Sequence, residues 1–434
     1  MSVRVYSLSI LASASMAFAS ANPIDLSIPS ESPVVEAGEK LEVAISIKSP
    51  SEEAAEFSIK RFMNNVNLET ESEGSLVGEV SSVTGFQSEE PASYIWEVKV
   101  GEETDRIGAI VSPEDIEPGL KRPKDFDSFW KAQKKLVKKM PLDAQSEPID
   151  LSSDHDGYAA FEVEISSPGP EPMRAILAKP EGAAPGSLPI IIQYRAAGVK
   201  GIWCRAQTEE ALGFAKRGGG ALVLDTNAHG MLNLEEESYY ENLENGPLQN
   251  YWDKGVQSRD TFYFRFMYLR ALRAIEYMTQ QPEWDGKRIL VVGESQGGGQ
   301  ALAMAGLDPR VTDAVVTVPA MGDFGAPLVG RKAGWPQPLE IHGTDNQAAI
   351  ATVPYFDTAH LLKGSKANIV AEIGLIDDTC PSTSIYAALN QSSGQKTIYA
   401  VPYRAHPWPE GADREEWDKT VLAAKNAYID AFAQ

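Results

Sequence analysis

Residues 289–306 read as three pieces in close succession: an apolar strand, Ile289 to Val292; a turn, Gly293-Glu294-Ser295-Gln296-Gly297, continued by Gly298 and Gly299; and a helix-like run from Gln300 to Gly306. A serine carried on a strand-to-helix turn sits in strained backbone, and its flanks have to be glycine because side chains there would strike the neighbouring chain. The helix that follows presents its positive end to the turn, and the N–H of Gln296 can point at a developing oxyanion. The competing reading, a glycine-rich nucleotide loop, lacks its signature: no G-x-G-x-x-G or G-x-x-x-x-G-K-[ST] pattern follows a strand in this chain.

The surrounding sequence is consistent with a parallel sheet. Short apolar runs at Ala160 to Ile165, Ala175 to Ala178, Pro189 to Gln193, Ala221 to Leu224, Ile289 to Val292, Ala314 to Val318, Ile369 to Ile373 and Thr397 to Val401 mostly alternate with helical stretches. That alternation predicts an α/β unit whose mainly parallel sheet is covered on both faces. Upstream the period changes to two: Leu41, Val43, Ile45 and Ile47 alternate with polar or small neighbours, and Tyr94, Trp96, Val98 and Val100 recur at the same spacing. A small all-β, sandwich-like unit is expected there, with Phe57, Tyr94 and Trp96 in its core rather than forming a sugar-binding platform.

Between the two units, Ser112 to Pro123 carries three prolines and reads as a linker. Beyond it Asp125 is placed to cap a helix whose apolar face is Phe126, Phe129, Trp130, Leu136 and Val137. The polar stretch Met231 to Lys254 reads as a long insertion loop, of the kind that forms a lid or an oligomer contact. At the N-terminus, Arg4, the apolar stretch Val5 to Met16, and Ala17-Phe18-Ala19 or Ala19-Ser20-Ala21 have the order of an export signal and its cleavage site. The expected divisions are 1–21 for that signal, 22–111 for the β unit, 112–123 for the linker and 124–434 for the α/β unit. The mature protein is expected in a periplasm or outside the cell.

With 39 Lys plus Arg against 61 Asp plus Glu, the chain has a formal net charge of −22. Such a surface repels phosphate backbones and anionic lipid, so neither nucleic acid nor a membrane is an expected partner. Only Cys204 and Cys380 are available for a disulfide, and a buried free thiol is the default for each. No His, Cys, Asp and Glu cluster has metal-ligand spacing in sequence, so neither a metal nor another cofactor is expected.

A serine hydroxyl needs a base, and on strand–turn–helix elbows the partners follow in the order Ser, acid, His. Of the five histidines, His155 and His229 precede Ser295, while His342 and His360 come before the last two strand candidates. His406 alone follows the final strand, in Pro402-Tyr403-Arg404-Ala405-His406-Pro407. The acid candidate is Asp377, directly after the strand Ile369 to Ile373, with Asp378 as its rival. A second oxyanion donor is expected from the small-residue loop Tyr194 to Val199, after the strand Pro189 to Gln193.

Taken together, these residues resemble the acetyl xylan esterase and cephalosporin C deacetylase family of α/β-hydrolases, carbohydrate esterase family seven. The resemblance runs from about Leu120 to His406, through Arg122-Pro123-Lys124-Asp125-Phe126-Asp127-Ser128-Phe129-Trp130, Asp260 to Glu276, Gly293 to Gly299, and Gly374-Leu375-Ile376-Asp377 with Cys380-Pro381. It implies removal of acetyl groups from carbohydrate through an acyl-serine, with Ser295 as nucleophile, His406 as base and Asp377 as its orienting partner. It also implies Ala197 as the second oxyanion donor beside Gln296, and substrate contact at Arg195. Here the chain departs from the pattern, having Arg195 for a usual His and Ala196 for a usual Gly. Family members often assemble into rings, which leaves a homo-oligomer open for this chain. The alternatives are a serine esterase for another acyl group, such as an aryl or feruloyl ester or a peptide, and a non-catalytic glycan-binding protein on the same scaffold.

Overall fold

In the computed structural model, which describes residues 3–7, 22–30, 32–50 and 52–434, the α/β unit is built on one ten-stranded sheet. In chain order its strands are β1 (Val3–Ser7), β2 (Gln145–Ile149), β3 (Tyr158–Ile165), β4 (Met173–Pro180), β5 (Leu188–Tyr194), β6 (Leu222–Thr226), β7 (Trp284–Glu294), β8 (Asp313–Thr317), β9 (Asn368–Gly374) and β10 (Lys396–Val401). They lie in the order β1-β10-β9-β8-β7-β5-β6-β4-β3-β2. Pairings from β1 across to β6 are parallel, and those from β6 out to β2 are antiparallel.

All eight apolar runs of the α/β region are strands, because a strand covered on both faces needs nearly continuous apolar sequence. Ile190, Ile191 and Ile192 of β5 are all fully buried: two face a core that includes the helices Phe126–Lys139, Tyr263–Met278 and Gln296–Leu307. The third faces Thr208–Ala215 and the C-terminal helix Ala423–Phe432. The reading of apolar runs overlooks β2, an exposed edge strand with a proline at Pro148 that carries no apolar pattern. It also overlooks β1, which falls inside the stretch read as an export signal and pairs along the outer edge of β10. The rest of that stretch lies outside the described residues.

The N-terminal region forms two small sheets. One holds Ile24–Ser27, Lys40–Lys48 and Glu79–Gln87; the other is ordered Val34–Val35, Glu103–Val111, Ala92–Val100, Ala55–Met63, Asn67–Leu76. Leu41, Val43, Ile45 and Ile47 share a core with Tyr94, Trp96 and Val98, and Phe57 packs against it half-buried, so these aromatics are core residues. The five-stranded sheet has a second buried side: Ile110 belongs to the core of the α/β unit, and Ser382–Leu389 packs on Ala92–Val100.

The linker segment from Ser112 to Pro123 is pinned: Asn390 Nδ2 donates to the carbonyls of Pro113 (2.8 Å) and Ile116 (3.1 Å), and the Gly119 N–H donates to Asp323 Oδ1 (2.7 Å). Two local expectations are corrected. Asp125 does not cap the helix Phe126–Lys139 with its side chain. Its carboxylate accepts instead from Arg259 Nη1 (2.6 Å) and the Tyr355 hydroxyl, donors that compete effectively with a backbone N–H. Finally, Met231 to Lys254 is not a plain loop: it contains the helix Glu237–Glu244 and a single 3₁₀ turn, Tyr251–Asp253, anchored by buried Tyr240 and Tyr251. Its burial uses tyrosines, which a search for aliphatic periodicity passes over.

Candidate active site

β7 runs into the helix Gln296–Leu307 with only Ser295 between them, at φ 54° and ψ −122°. A non-glycine residue there costs ~1–3 kcal/mol, and the surroundings hold it in place. The Ser295 N–H donates to the Thr317 carbonyl (2.9 Å), while the Ser295 carbonyl accepts from Gly299 (3.0 Å) and Ala320 (2.9 Å). The flanking glycines are sterically required. A Cβ on Gly293 would lie 2.2 Å from the Gly297 carbonyl carbon, and one on Gly297 would lie 2.0 Å from the Tyr194 carbonyl oxygen. This close approach sets the start of the helix against the end of β5.

Ser295, Asp377 and His406 come together from the C-terminal ends of β7, β9 and β10. Asp377 is 1% exposed, and a carboxylate can only accept, so the 2.8 Å contact with Asp377 Oδ2 places the proton on His406 Nδ1. In the neutral ring that makes His406 Nε2 the acceptor, 3.0 Å from Ser295 Oγ. The other Asp377 oxygen accepts from the N–H groups of Thr379 (2.7 Å) and Cys380 (2.8 Å), which fixes the carboxylate plane. Asp378, the rival, points away: its oxygens accept from Asn65 Nδ2 (2.9 Å) and Arg106 Nη1 (2.6 Å) of the β unit.

One ligand atom from each of Asp377, Cys380 and His406 falls within 4.8 Å of the others, the spacing of a metal site. Asp377 Oδ2 and His406 Nδ1 are already committed to each other, however, and burial pushes the Cys380 thiol well above its ordinary range, away from the thiolate a metal needs. Cys204 and Cys380 are both buried free thiols.

No backbone or side-chain acceptor among the described residues meets the N–H of Gln296 or of Ala197. Tyr251 links the two segments that carry these groups: its hydroxyl donates to Gln296 Oε1 (2.7 Å) and accepts from the Gly198 N–H (3.3 Å). Below it, His229 contacts the Gly198 carbonyl through Nε2 (2.9 Å) and the Tyr263 hydroxyl through Nδ1 (2.7 Å). Burial, helped by nearby Arg270, pushes the His229 pKa down to about 3, so the ring is neutral.

Arg195 is not free to contact a substrate. Only 5% exposed, it forks onto Asp225 at the end of β6, with Nε 2.8 Å from Oδ1, and also reaches Glu210. Burial pushes the Asp225 carboxyl up to about 6 against the pull of Arg195. The expectation of substrate contact at Arg195 is therefore corrected: a guanidinium paired with a buried carboxylate braces the loop after β5.

A second buried network lies beneath the His406 loop. Arg404 is wholly buried and donates from Nη1 to the carbonyls of Ala405 and His406 (both 2.8 Å) and of Pro407. Its Nε meets Glu372 (2.9 Å), which also accepts from Lys425 and from Trp417 Nε1 (2.9 Å). Lys425 and Arg404 hold the Glu372 carboxyl below its ordinary range despite burial. Sequence reasoning missed Tyr251, His229, Arg404 and Glu372. A lone Glu inside the apolar run Ile369 to Ile373 is the one visible signal for that network.

Residues 115–419 match the family model described as acetyl xylan esterase (AXE1). The chain is 31% identical over 301 residues to acetyl esterase Axe7A of Xylanibacter ruminicola, covering 68% of this chain and 66%, just under two thirds, of that relative. Among solved structures, an acetyl xylan esterase from Paenibacillus sp. R4 superposes with a TM-score of 0.60 at 25% identity, covering 73% of this chain and 98% of its own. Acetyl xylan esterase 1 from Thermoanaerobacterium sp. JW/SL YS485 superposes with a TM-score of 0.56 at 19% identity, covering 73% and 97%, and shares the fold.

Proposed function

The chain belongs to the acetyl xylan esterase family, and from that premise we propose that it is an exported serine esterase that removes O-acetyl groups from carbohydrate. The observation that carries the reading is the continuous hydrogen-bond path from Asp377 through His406 to Ser295 Oγ, ending on a strained turn.

His406 Nε2 takes the proton as Ser295 Oγ attacks the acetyl carbonyl carbon, and the carbonyl electron pair moves onto oxygen. The N–H groups of Gln296 and Ala197 stabilise that oxyanion, and Asp377 stabilises the imidazolium without taking its proton. When the tetrahedral centre collapses, the bond to the sugar oxygen breaks, His406 returns the proton to it, and acetyl-serine remains. Water, deprotonated by His406, then repeats the sequence and releases acetate. Export would remove the chain up to Ala19 or Ala21, and with it β1; β10 keeps β9 on its other side. The intact mass of protein recovered outside the cytoplasm reads the cleavage point.

Acetate release from 4-nitrophenyl acetate and from acetylated xylo-oligosaccharides, compared with Ser295→Ala, tests the activity. Both activities present in the parent and reduced by several orders of magnitude in the variant is the expected outcome. Cleavage of the aryl acetate alone would keep the triad and reopen the substrate class. Hydrolysis indifferent to Ser295→Ala would favour the glycan-binding alternative.

A further inference from the structure

The N-terminal β unit reaches the loops that carry Asp377 and His406. Ala55–Met63 and Asn67–Leu76 form a hairpin whose tip residues Asn64 and Asn65 have φ values of 56° and 59°. The Val66 N–H closes the turn on the Met63 carbonyl (3.1 Å). Positive φ at both central residues is the conformation asparagine tolerates best among residues with a side chain. The tip is anchored on the neighbouring strand, where Asn64 exchanges hydrogen bonds with the backbone of Ser93 (2.9 and 3.1 Å).

From that anchored tip Asn65 Nδ2 donates to the carbonyl of Asp377 (3.1 Å) and to Asp378 Oδ1 (2.9 Å). Arg106, held by Glu97 (Nε to Oε2, 2.8 Å), donates to the other oxygen of Asp378 (2.6 Å). Gly108 touches both loops: its N–H donates to the Pro402 carbonyl (2.9 Å), and a Cβ there would lie 2.4 Å from the Leu375 carbonyl oxygen. These contacts fall on the backbone and immediate neighbours of Asp377, while its carboxylate is held from the other side by Thr379, Cys380 and His406.

We propose that the β unit is a clamp on the acid–base loops, with Asn65 and Arg106 as positioning residues that hold Asp377 in line with His406. The inference rests on the reading of Asp377 as the acid partner of the triad. Neither residue touches the reacting atoms; each acts through the placement of the Asp377 carboxylate. On this account the β unit is required for turnover of every ester the site accepts, whatever its size. A unit that only captured sugar would matter for the oligosaccharide alone.

The test uses the full chain with Asn65→Ala, Arg106→Met and the pair, each confirmed folded by circular dichroism. Because a displacement of about 1 Å in a catalytic group costs up to about 100-fold, kcat is expected to fall about 10- to 100-fold. The fall should be equal on 4-nitrophenyl acetate and acetylated xylo-oligosaccharide, with KM within about twofold of the parent. The downfield His406 Nδ1–H proton resonance, assigned by its absence in His406→Gln, should broaden in the same variants. Folded variants with parental kcat on both substrates and a parental resonance overturn the clamp. So does a raised KM on the oligosaccharide alone. If the parent hydrolyses neither ester, the esterase reading fails by itself, and the resonance decides the clamp: parental in the variants, it fails; broadened, it stands. Should Asn65→Ala not fold, Arg106→Met is read by the same measurements.

Discussion

Gly297 and Tyr251 show how single side chains, or their absence, set the geometry around Ser295. With a Cβ position 2.0 Å from the Tyr194 carbonyl, Gly297→Ala forces the helix start away from β5. Chemical denaturation is expected to show a loss of about 3 kcal/mol or more, with hydrolysis abolished. Tyr251→Phe keeps the ring and removes the hydroxyl shared by Gln296 and Gly198. Its expected effect is a fall in kcat of about tenfold with little change in melting temperature. Asp377→Asn leaves His406 without a carboxylate to orient it and should cost about 10⁴-fold in kcat. Asp378→Asn is expected to be far milder, because Asp378 faces the β unit and not the imidazole. The spacing of Ser295, Asp377 and His406 was legible in the chain because each follows a recognisable apolar strand. Tyr251 was not, since nothing in a Tyr-, Glu- and Asn-rich stretch says which tyrosine turns inward.

At the scale of elements, the layer beneath the two site loops is built from buried ionisable groups. Glu372 lies on β9 with Arg404, Lys425 and Trp417 around it, and removing one member of such a set leaves the others as uncompensated charge. Glu372→Gln is expected to cost about 3–5 kcal/mol of unfolding free energy, measured in denaturant. His229 gives a pH signature of opposite chemistry. Its folded pKa of about 3 lies below the ordinary 6.5, so only the unfolded chain takes up its proton as pH falls. Its contribution to stability is therefore complete above about pH 6.5 and is lost progressively towards pH 3. In His229→Gln, unfolding free energy should fall less steeply over that window than in the parent, a slope read from denaturant melts at several pH values. The elements themselves were largely legible, since buried parallel strands are continuous apolar runs. Edge strand β2 was not, because solvent on its outer side removes the pattern that identifies a strand.

For the whole molecule, the β unit and the α/β unit share buried surface. Ile110 belongs to the same core as Phe126 and Trp130, and Ile95, 2% exposed, lies in the strand on which Ser382–Leu389 packs. A chain beginning at residue 112 would expose that face, and aggregation on expression is the expected outcome, read by size-exclusion chromatography against the parent. By itself the sequence determined the parallel sheet, the elbow and the order Ser295, Asp377, His406, because these depend on local apolar runs, glycine positions and strand ends. It also determined that the N-terminal aromatics are core, since alternation places them on one face. Only the tertiary structure decided that Arg195 pairs with Asp225 instead of meeting substrate, that Asp378 faces Asn65 and Arg106, and that Tyr251 joins Gln296 to the loop after β5. Each of those pairings joins residues far apart in the chain, and a side chain's partner is set by which backbones the fold brings within hydrogen-bond reach, a distance no local pattern encodes.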